Sequence, residues 1–318
     1  MRIAIIDTGI SPAAIPAENL SDGYNYIRPQ DGTADKIGHG TALAGLIVGN
    51  EALGVEGVCP EAVLVPLVWC SIDETGKTVK GKTDMAAQAI YDAIDVYGCD
   101  IINLSSGSTS DSASLREAAA YAEEKGVLLV SSAGNDNETA PDAVYYPGAY
   151  ESVLCVGSAD GDRPADFSQR NDTVDLLAPG TSLRVLTIKG TRIRGDGTSY
   201  STAIVSGVAA RLLTEDPDLT AAELRALLTG AARDVGPAGY DTDSGWGILD
   251  PDAALAALAG NGEKAPAFSD ASEDAWYYES VRYAVSCGPS GTPASAFSPN
   301  VPFTRQQTWM LLVRHLNK

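Results

Sequence analysis

The chain has 318 residues, of which 44% are hydrophobic and 20% charged, and its formal net charge is −20. This length and composition fit one large globular domain with a small additional unit. The negative charge argues against nucleic acid as a partner, because phosphate binding needs clustered lysine and arginine side chains, and no apolar run reaches the roughly 18 residues of a membrane span.

Short β-branched apolar runs alternate with longer segments of helical periodicity. The predicted strands are 3–6, 63–68, 101–104, 127–130 and 153–156. The predicted helices are 83–97, 112–125, 200–213 and 219–230, and Thr220 with Glu223 forms a capping-box signal at the start of the last one. This alternation predicts βαβ units, and therefore an α/β fold with a mostly parallel central sheet flanked by helices.

The composition changes close to residue 260. Residues 260–267 (GNGEKAPA) have the character of a linker, and residues 268–318 carry their own set of aromatic side chains. Acidic and basic residues balance after residue 260, so the first 260 residues carry the whole negative charge. We therefore predict a main domain over 1–259, a linker over 260–267 and a small helical module over 268–318.

The cysteines are odd in number and most of them lie in or beside apolar runs. They are Cys59, Cys70, Cys99, Cys155 and Cys287. This pattern predicts buried free thiols rather than a disulfide framework, and it favours a reducing compartment. Met1 and Arg2 lead directly into the first strand without an export signal, which together with the thiols predicts a cytoplasmic location.

Asp7 follows the first predicted strand, at the edge where open α/β sheets place their working residues. Three interpretations are open. It could bind Mg²⁺ or phosphate, although no glycine-rich phosphate loop accompanies it. It could belong to an aspartic protease pair, although that chemistry requires a second aspartate in a β-rich fold. It could also orient a histidine.

His39 lies between two glycines, ahead of a small, apolar helical segment. A single histidine is more often structural than catalytic. The other histidine, His315, lies in the predicted C-terminal module, so a general base in the main domain would have to be His39. Asn135 follows the strand 127–130 in a Gly-Asn sequence, where a turn-forming role is the alternative to a catalytic one.

Ser199 stands in GDGTSYSTAIVSG, between a glycine-rich loop and a helix of small and apolar residues. It is either a helix N-cap, where serine is favoured for its hydrogen bonding, or a nucleophile at a helix N-terminus. A nucleophilic serine needs a base, a carboxylate that orients the base, and donors for the oxyanion. His39, Asp7 and the amide of Asn135 together meet these needs.

With these residues in the order Asp, His, Asn, Ser, the chain resembles the subtilisin-like serine proteases, or subtilases, over about residues 1–258. The matching motifs are D-T-G at 7–9, G-H-G-T at 38–41, INLSSG at 102–107, A-G-N at 133–135, YYPG at 145–148, LAPG at 177–180, G-T-S at 197–199 and GWGILD at 245–250. The resemblance implies a catalytic triad of Asp7, His39 and Ser199, and an oxyanion hole at Asn135.

The same resemblance implies the substrate-binding residues. Ser105, Ser106 and Gly107 would form an edge strand that pairs with substrate backbone, and Ser132, Ala133 and Gly134 would line the pocket for the P1 side chain. Tyr145 would lie at the pocket floor, where we expect it to favour small or medium P1 side chains. No cofactor is implied. Calcium is common in the family, but the loop 49–60 is short and poor in asparagine, so we expect the usual high-affinity site to be degraded.

The C-terminal segment resembles one S-layer homology module. The matching stretches are FSDASEDAWYYESVRYAV at 268–285 and FSPNVPFTRQQ at 297–307. The resemblance implies cell-wall polysaccharide as a partner and a cell-surface location as the alternative to the cytoplasm; a helical cap or a self-association element is the other interpretation of this segment.

The sequence thus predicts a serine endopeptidase that acts on peptides or proteins. Two alternatives stay open. The first is a dedicated protease that matures one precursor peptide, or a transpeptidase that uses the same residues. The second is a non-catalytic binding protein on a protease fold, which the complete set of Asp, His, Asn and Ser argues against.

Overall fold

A computed structural model of the protein describes residues 1–261, and these residues contain a central sheet, three small two-stranded sheets and six α-helices. The strands are β1 (Arg2–Asp7), β2 (Tyr24–Asn25), β3 (Gly49–Asn50), β4 (Val55–Glu56), β5 (Val63–Val68), β6 (Cys70–Ile72), β7 (Thr78–Lys80), β8 (Ile101–Leu104), β9 (Leu128–Ser132), β10 (Val153–Asp160), β11 (Arg163–Pro164), β12 (Leu176–Pro179), β13 (Leu183–Leu186) and β14 (Arg192–Gly195).

The helices alternate with these strands, as the periodicity predicted. They are α1 (His39–Val48), α2 (Thr83–Asp95), α3 (Ala113–Glu124), α4 (Thr198–Glu215), α5 (Ala221–Gly230) and α6 (Pro251–Asn261), with short 3₁₀ turns at Ala17–Asn19, Pro29–Asp31 and Glu51–Leu53. The predicted capping box of α5 is confirmed. The Thr220 hydroxyl accepts from the backbone N–H of Glu223 at 3.2 Å, and the Glu223 carboxylate accepts from the backbone N–H of Thr220 at 2.8 Å.

The central sheet has the order β11-β10-β9-β8-β1-β5-β2, with β12 paired to β10. Every pairing in it is parallel except the short antiparallel pair of β10 and β11. The predicted mostly parallel sheet is therefore confirmed. Because the parallel strands share a direction, the residues that follow β1, β8 and β9 meet at one edge of the sheet.

Both faces of this sheet are covered, which explains why its strands are continuous apolar runs. On one face, Ala4 and Ile6 of β1 pack in one buried cluster with residues of α2 and α3. Alternation along β1 turns Ile3 and Ile5, which are fully buried, to the opposite face. Helix α4 contacts β8, β9, β10 and β12, and α1 contacts both β1 and α4, so the fold has three layers.

The chain divides into two compact units, Met1–Leu255 and Ala256–Lys318. Helix α6 continues two residues into the predicted linker 260–267. The rest of that linker and the predicted module 268–318 lie outside the described residues, so the predicted domain boundaries remain predictions. Among residues 1–261, the helices are all too short or too polar to cross a membrane.

The thiols of the described chain follow the sequence prediction. Cys59, Cys70, Cys99 and Cys155 are buried and free of disulfide bonds. Burial raises the pKa of the Cys59 thiol to about 11 and that of the Cys99 thiol to about 12. These side chains therefore act as small apolar core residues rather than as nucleophiles.

Candidate active site

The buried carboxylate of Asp7 and the partly exposed imidazole of His39 form a pair at the carboxyl edge of the sheet. Asp7 is the last residue of β1 and is 4% exposed. Its carboxylate accepts a hydrogen bond from the backbone N–H of Thr8 at 2.8 Å. Nδ1 of His39, the first residue of α1, lies 2.9 Å from both carboxylate oxygens. The structure therefore favours the third interpretation of Asp7, in which it orients a histidine.

A close backbone approach brings the two residues together. A Cβ atom added at Gly40 would lie 2.3 Å from the carbonyl oxygen of Gly9, so only glycine fits beside His39 at this point. Asp35 holds the loop before α1. Its buried carboxylate accepts the backbone N–H groups of Ile37, Gly38 and Thr41 and the hydroxyl of Thr41, at 2.6 to 3.0 Å.

The electrostatics of the pair favour a protonated imidazole. The negative charge of Asp7 raises the pKa of His39 above its usual value near 6.5; partial burial opposes this shift, and the hydrogen bond to Asp7 adds to it. Because Nδ1 faces Asp7, the other ring nitrogen, Nε2, is the one that can accept a proton from a nucleophile.

Ser199 is the second residue of α4 and is 8% exposed. The N-cap of this helix is Gly197, so the helix-cap interpretation of Ser199 is wrong. The cap position is occupied by a glycine, so the Ser199 hydroxyl is not used to cap the helix. In the described structure that hydroxyl donates to the carbonyl oxygen of Ser105 at 3.2 Å.

A buried polar network fixes α4 against the end of β8. The Ser105 hydroxyl donates to the carbonyl oxygen of Ser199 at 3.3 Å and accepts from the amide of Asn103 at 3.0 Å. The side-chain oxygen of Asn103, Oδ1, in turn accepts a hydrogen bond from the hydroxyl of Ser206 at 3.1 Å. These contacts hold the first turns of α4, and with them Ser199, at the same edge of the sheet as Asp7.

Asn135 faces the N-terminus of α4 across a short gap. Its Oδ1 accepts both the backbone N–H and the hydroxyl of Thr198, each at 2.9 Å. Because the carbonyl oxygen of the amide is held by two donors, the Nδ2 group is the end of the side chain left to donate to a substrate. The turn-forming interpretation of Asn135 does not explain this side-chain arrangement.

A cleft of about 280 Å³ is lined by both Asn135 and Ser199, whereas Asp7 and His39 are not among its lining residues. Its lining includes the predicted site residues Ser105, Ser106, Gly107, Ser132, Gly134, Asn135, Tyr145 and Ser199. The ring of Tyr145 packs against Gly134, where an added Cβ would lie 2.5 Å from its Cδ2 atom, and it also contacts the position of Gly107. Its phenol donates a short hydrogen bond to Asp136.

One prediction about the cleft needs correction. Ala133 does not line it. The alternation that turns Ser132 and Gly134 to the cleft turns Ala133 to the core, where it packs with Cys155 and Ile248.

The predicted edge strand 105–107 stays a prediction, because its expected partner is the substrate backbone and β8 itself ends at Leu104. Only the following residue, Ser108, makes a β-bridge, to Tyr146.

Sequence reasoning missed several residues of the site. Lys80, at the end of β7, and Asp136 line the cleft, while Asp35 and Thr198 hold His39 and Asn135 in place. Lys80 comes from a short exposed hairpin that carries no motif. Thr198 lies inside the G-T-S motif, directly before Ser199. This position was the one signal in the sequence that could have identified it as a residue of the site.

The expected degradation of the calcium site at the loop 49–60 stays a prediction. The asparagine of this loop, Asn50, is committed within the protein, because Oδ1 accepts the backbone N–H of Leu53 at 3.3 Å and Nδ2 donates to the carbonyl oxygen of Ala14 at 3.0 Å. Elsewhere in residues 1–261, no three His, Cys, Asp or Glu side chains are grouped as metal ligands.

An α/β sheet that presents a hydrogen-bonded Asp–His pair and a serine on an adjacent helix N-terminus has the layout of a serine hydrolase. Residues 1–247 match the model of the subtilase family, Peptidase S8. The chain belongs to the subtilase family.

Individual relatives agree with this assignment. The chain is 35% identical over 251 residues to the minor extracellular protease Epr of Bacillus subtilis, in a match that covers 78% of this chain and 37% of that protein. It is 32% identical over 238 residues to subtilisin BL of Lederbergia lenta, with 74% and 84% covered. The structure of the prenylagaramide maturation protease PagA matches with a TM-score of 0.68 and 27% identity, over 80% of this chain and 93% of that one.

Proposed function

We propose that this protein is a serine endopeptidase that hydrolyses peptide bonds through an acyl-enzyme intermediate. The observation that carries the proposal is the Asp7–His39 pair at 2.9 Å, beside the helix that presents Ser199. Family membership gives the same class of reaction.

The proposed mechanism assigns one role to each group. Ser199 Oγ attacks the scissile carbonyl carbon while Nε2 of His39 takes the hydroxyl proton. The Nδ2 group of Asn135 and the backbone N–H of Ser199 stabilise the oxyanion. Collapse of this intermediate breaks the C–N bond, and His39 returns the proton to the leaving amine. Water, deprotonated by His39, then hydrolyses the ester, and Asp7 stabilises the imidazolium in both steps.

A fluorophosphonate probe tests this assignment. Treatment of the purified full chain should give a covalent adduct at Ser199, located by mass spectrometry, and the Ser199→Ala variant should give none. Thr214→Val serves as a second control that should still be labelled, because Thr214 is on the same helix and its hydroxyl donates to the carbonyl oxygen of Ala210, away from the site. A folded chain that is not labelled at Ser199 would contradict the proposal.

We also propose that Tyr145 restricts the P1 side chain to small or medium size. Its ring occupies the space between Gly107 and Gly134, the two walls of the cleft. Tyr145→Gly should extend P1 preference toward large side chains in a peptide library. Tyr145→Phe keeps the ring and removes only the hydroxyl that donates to Asp136, so it should keep the parent preference. An unchanged preference in Tyr145→Gly would overturn the role of the ring.

Maturation of a dedicated precursor peptide is the second candidate. The likeness to PagA, a maturation protease, and the partly filled cleft favour it. Digestion of unfolded casein separates the candidates. A general endopeptidase should cut casein at many sites, whereas a dedicated protease should leave it intact while Ser199 still reacts with the fluorophosphonate probe.

The proposed cell-wall binding by residues 268–318 rests on sequence alone, since these residues lie outside the described structure. Sedimentation of the full chain with purified cell-wall polysaccharide tests it, with a chain that ends after residue 261 as the control. If both chains sediment equally, the segment is not a wall-binding module.

A further inference from the structure

The two-stranded ribbon of β13 and β14 concentrates positive charge on an acidic protein. In the antiparallel register Arg184 lies directly opposite Arg194, and Arg192 lies two residues along the same face. With Ile193 these three exposed arginines line a concavity of about 410 Å³. The chain as a whole has 42 acidic and 22 basic side chains, so this surface differs in sign from the molecule around it.

The charges of these arginines are not neutralised within the described chain. Arg192 donates to the carbonyl oxygen of Gly54 at 3.4 Å, and Arg194 donates to that of Ser182 at 2.5 Å. In residues 1–261 no carboxylate lies within ion-pair distance of the three. By contrast, the arginines that do have such a partner there are Arg28, Arg116, Arg163, Arg211 and Arg233.

Unpaired like charges at directly opposite positions of a ribbon destabilise it. The nearest acidic residue along the ribbon, Asp196, is committed to the backbone N–H of Ser182 at 2.5 Å. An external carboxylate would relieve this repulsion, because guanidinium groups bind carboxylates in bidentate geometry.

The ribbon is joined to the candidate active site on both sides. β14 ends at Gly195, four residues before Ser199, and Gly195 packs against the ring of Tyr200. Leu186 of β13 packs on Gly45 of α1, the helix that begins at His39. The ribbon therefore packs directly against the two helices that carry His39 and Ser199.

We propose that the ribbon binds an acidic segment of the peptide substrate, outside the residues seated at the scissile bond. The inference rests on the proposed endopeptidase function for the identity of the occupant. The charge complementarity between three unpaired guanidinium groups and a run of carboxylates selects an acidic peptide as that occupant.

Binding to the Ser199→Ala full chain tests the proposal without cleavage. The probes are two fluorescein-labelled peptides of equal length, one with a run of glutamates and one with glutamines in their place, followed by fluorescence anisotropy. The glutamate peptide should bind about tenfold or more tightly than its counterpart. This preference should shrink between about 20 and about 200 mM NaCl, as exposed charges are screened.

Charge-matched variants identify the surface. Arg184→Gln, Arg192→Gln and Arg194→Gln combined should abolish the preference for glutamate. The control combines Arg163→Gln, Arg211→Gln and Arg233→Gln, which removes the same charge from exposed, ion-paired positions, and it should keep the preference. If both variants lose the preference for the glutamate peptide equally, net charge alone explains the preference and the proposal is overturned.

Two further outcomes also overturn it. If a single-stranded oligonucleotide displaces the glutamate peptide at equal concentration, the ribbon is a general polyanion site. The other outcome is a Ser199→Ala chain that binds the glutamate and glutamine peptides equally, while the unsubstituted chain reacts with the fluorophosphonate probe. In that case the ribbon proposal fails and the endopeptidase proposal stands.

Discussion

At the scale of single residues, the site depends on side chains that have two polar atoms, one of which is hydrogen-bonded within the protein. His39 turns Nδ1 to Asp7, and Asn135 turns Oδ1 to Thr198. In each case the hydrogen bonds made by one atom of the side chain leave the other polar atom for the substrate. Removal of the orienting partner should therefore damage activity even though that partner does not touch the reacting atoms.

The pH dependence of the reaction follows from the Asp7–His39 pair. His39 acts as a base only when neutral, and Asp7 raises its pKa above 6.5. We expect kcat/KM to rise with pH through a midpoint above 6.5 and to fall on acidification. Asp7→Asn should move the midpoint down and lower kcat by about 10⁴-fold. A parent midpoint below 6.5 would contradict the assignment of the pair.

Thr198 offers a second test at this scale. Thr198→Val removes one of the two donors that hold Oδ1 of Asn135, and kcat should fall by about tenfold with little change in KM, because a full oxyanion donor is worth about 10²–10³. Thr214→Val is the control on the same helix, since its hydroxyl bonds only to the carbonyl oxygen of Ala210. An equal effect of both variants would indicate a general loss of helix stability.

At the scale of elements, the site is assembled where α1 and α4 begin. The backbone of Gly40 lies against that of Gly9, and α4 is tied to β8 through Asn103, Ser105 and Ser206. Small and polar residues at these contacts allow the helices to approach the sheet closely. The distances within the site therefore depend on packing that bulkier side chains would disturb.

Glycine-to-alanine variants measure this closeness. Gly40→Ala places a methyl group on the carbonyl oxygen of Gly9, so we expect a stability cost of about 1–3 kcal/mol and loss of fluorophosphonate labelling. Gly230→Ala, near the end of α5, meets no neighbouring atom and should stabilise the protein by about 0.5–1 kcal/mol. Thermal unfolding of both variants checks the expectation. A Gly40→Ala variant as active as the parent would show that the helix can shift without cost.

At the scale of the whole molecule, the described residues form a compact unit over Met1–Leu255 that contains every residue assigned to the site. The sheet, the helices on both faces and the cleft all belong to it. This unit should therefore assemble the site without residues from the second unit.

Truncation tests that expectation. A chain that ends after residue 261 should react with the fluorophosphonate probe at Ser199 at the rate of the full chain. EDTA should leave its Tm unchanged, because Asn50 is committed to internal hydrogen bonds. Faster labelling after truncation would indicate that the removed segment covers the site, and a drop in Tm with EDTA would reveal a bound metal ion.

The sequence by itself determined the fold class and the identity of the central residues. A parallel strand that is buried on both faces has a continuous run of apolar residues. The strands 63–68 and 101–104 were therefore predicted with their observed bounds. The motifs around Asp7, His39 and Ser199 are local, and local patterns can be read without coordinates. The catalytic roles of these residues remain predictions until labelling and pH profiles are measured.

Only the tertiary structure decided which groups meet. The direction of Ala133 into the core, the ring of Tyr145 between two cleft walls and the pairing of Arg184 with Arg194 depend on register and packing. Lys80 enters the cleft from a hairpin about 120 residues before Ser199. Periodicity records whether a side chain is buried, but the distance between residues far apart in the chain is set by topology, which no local pattern contains.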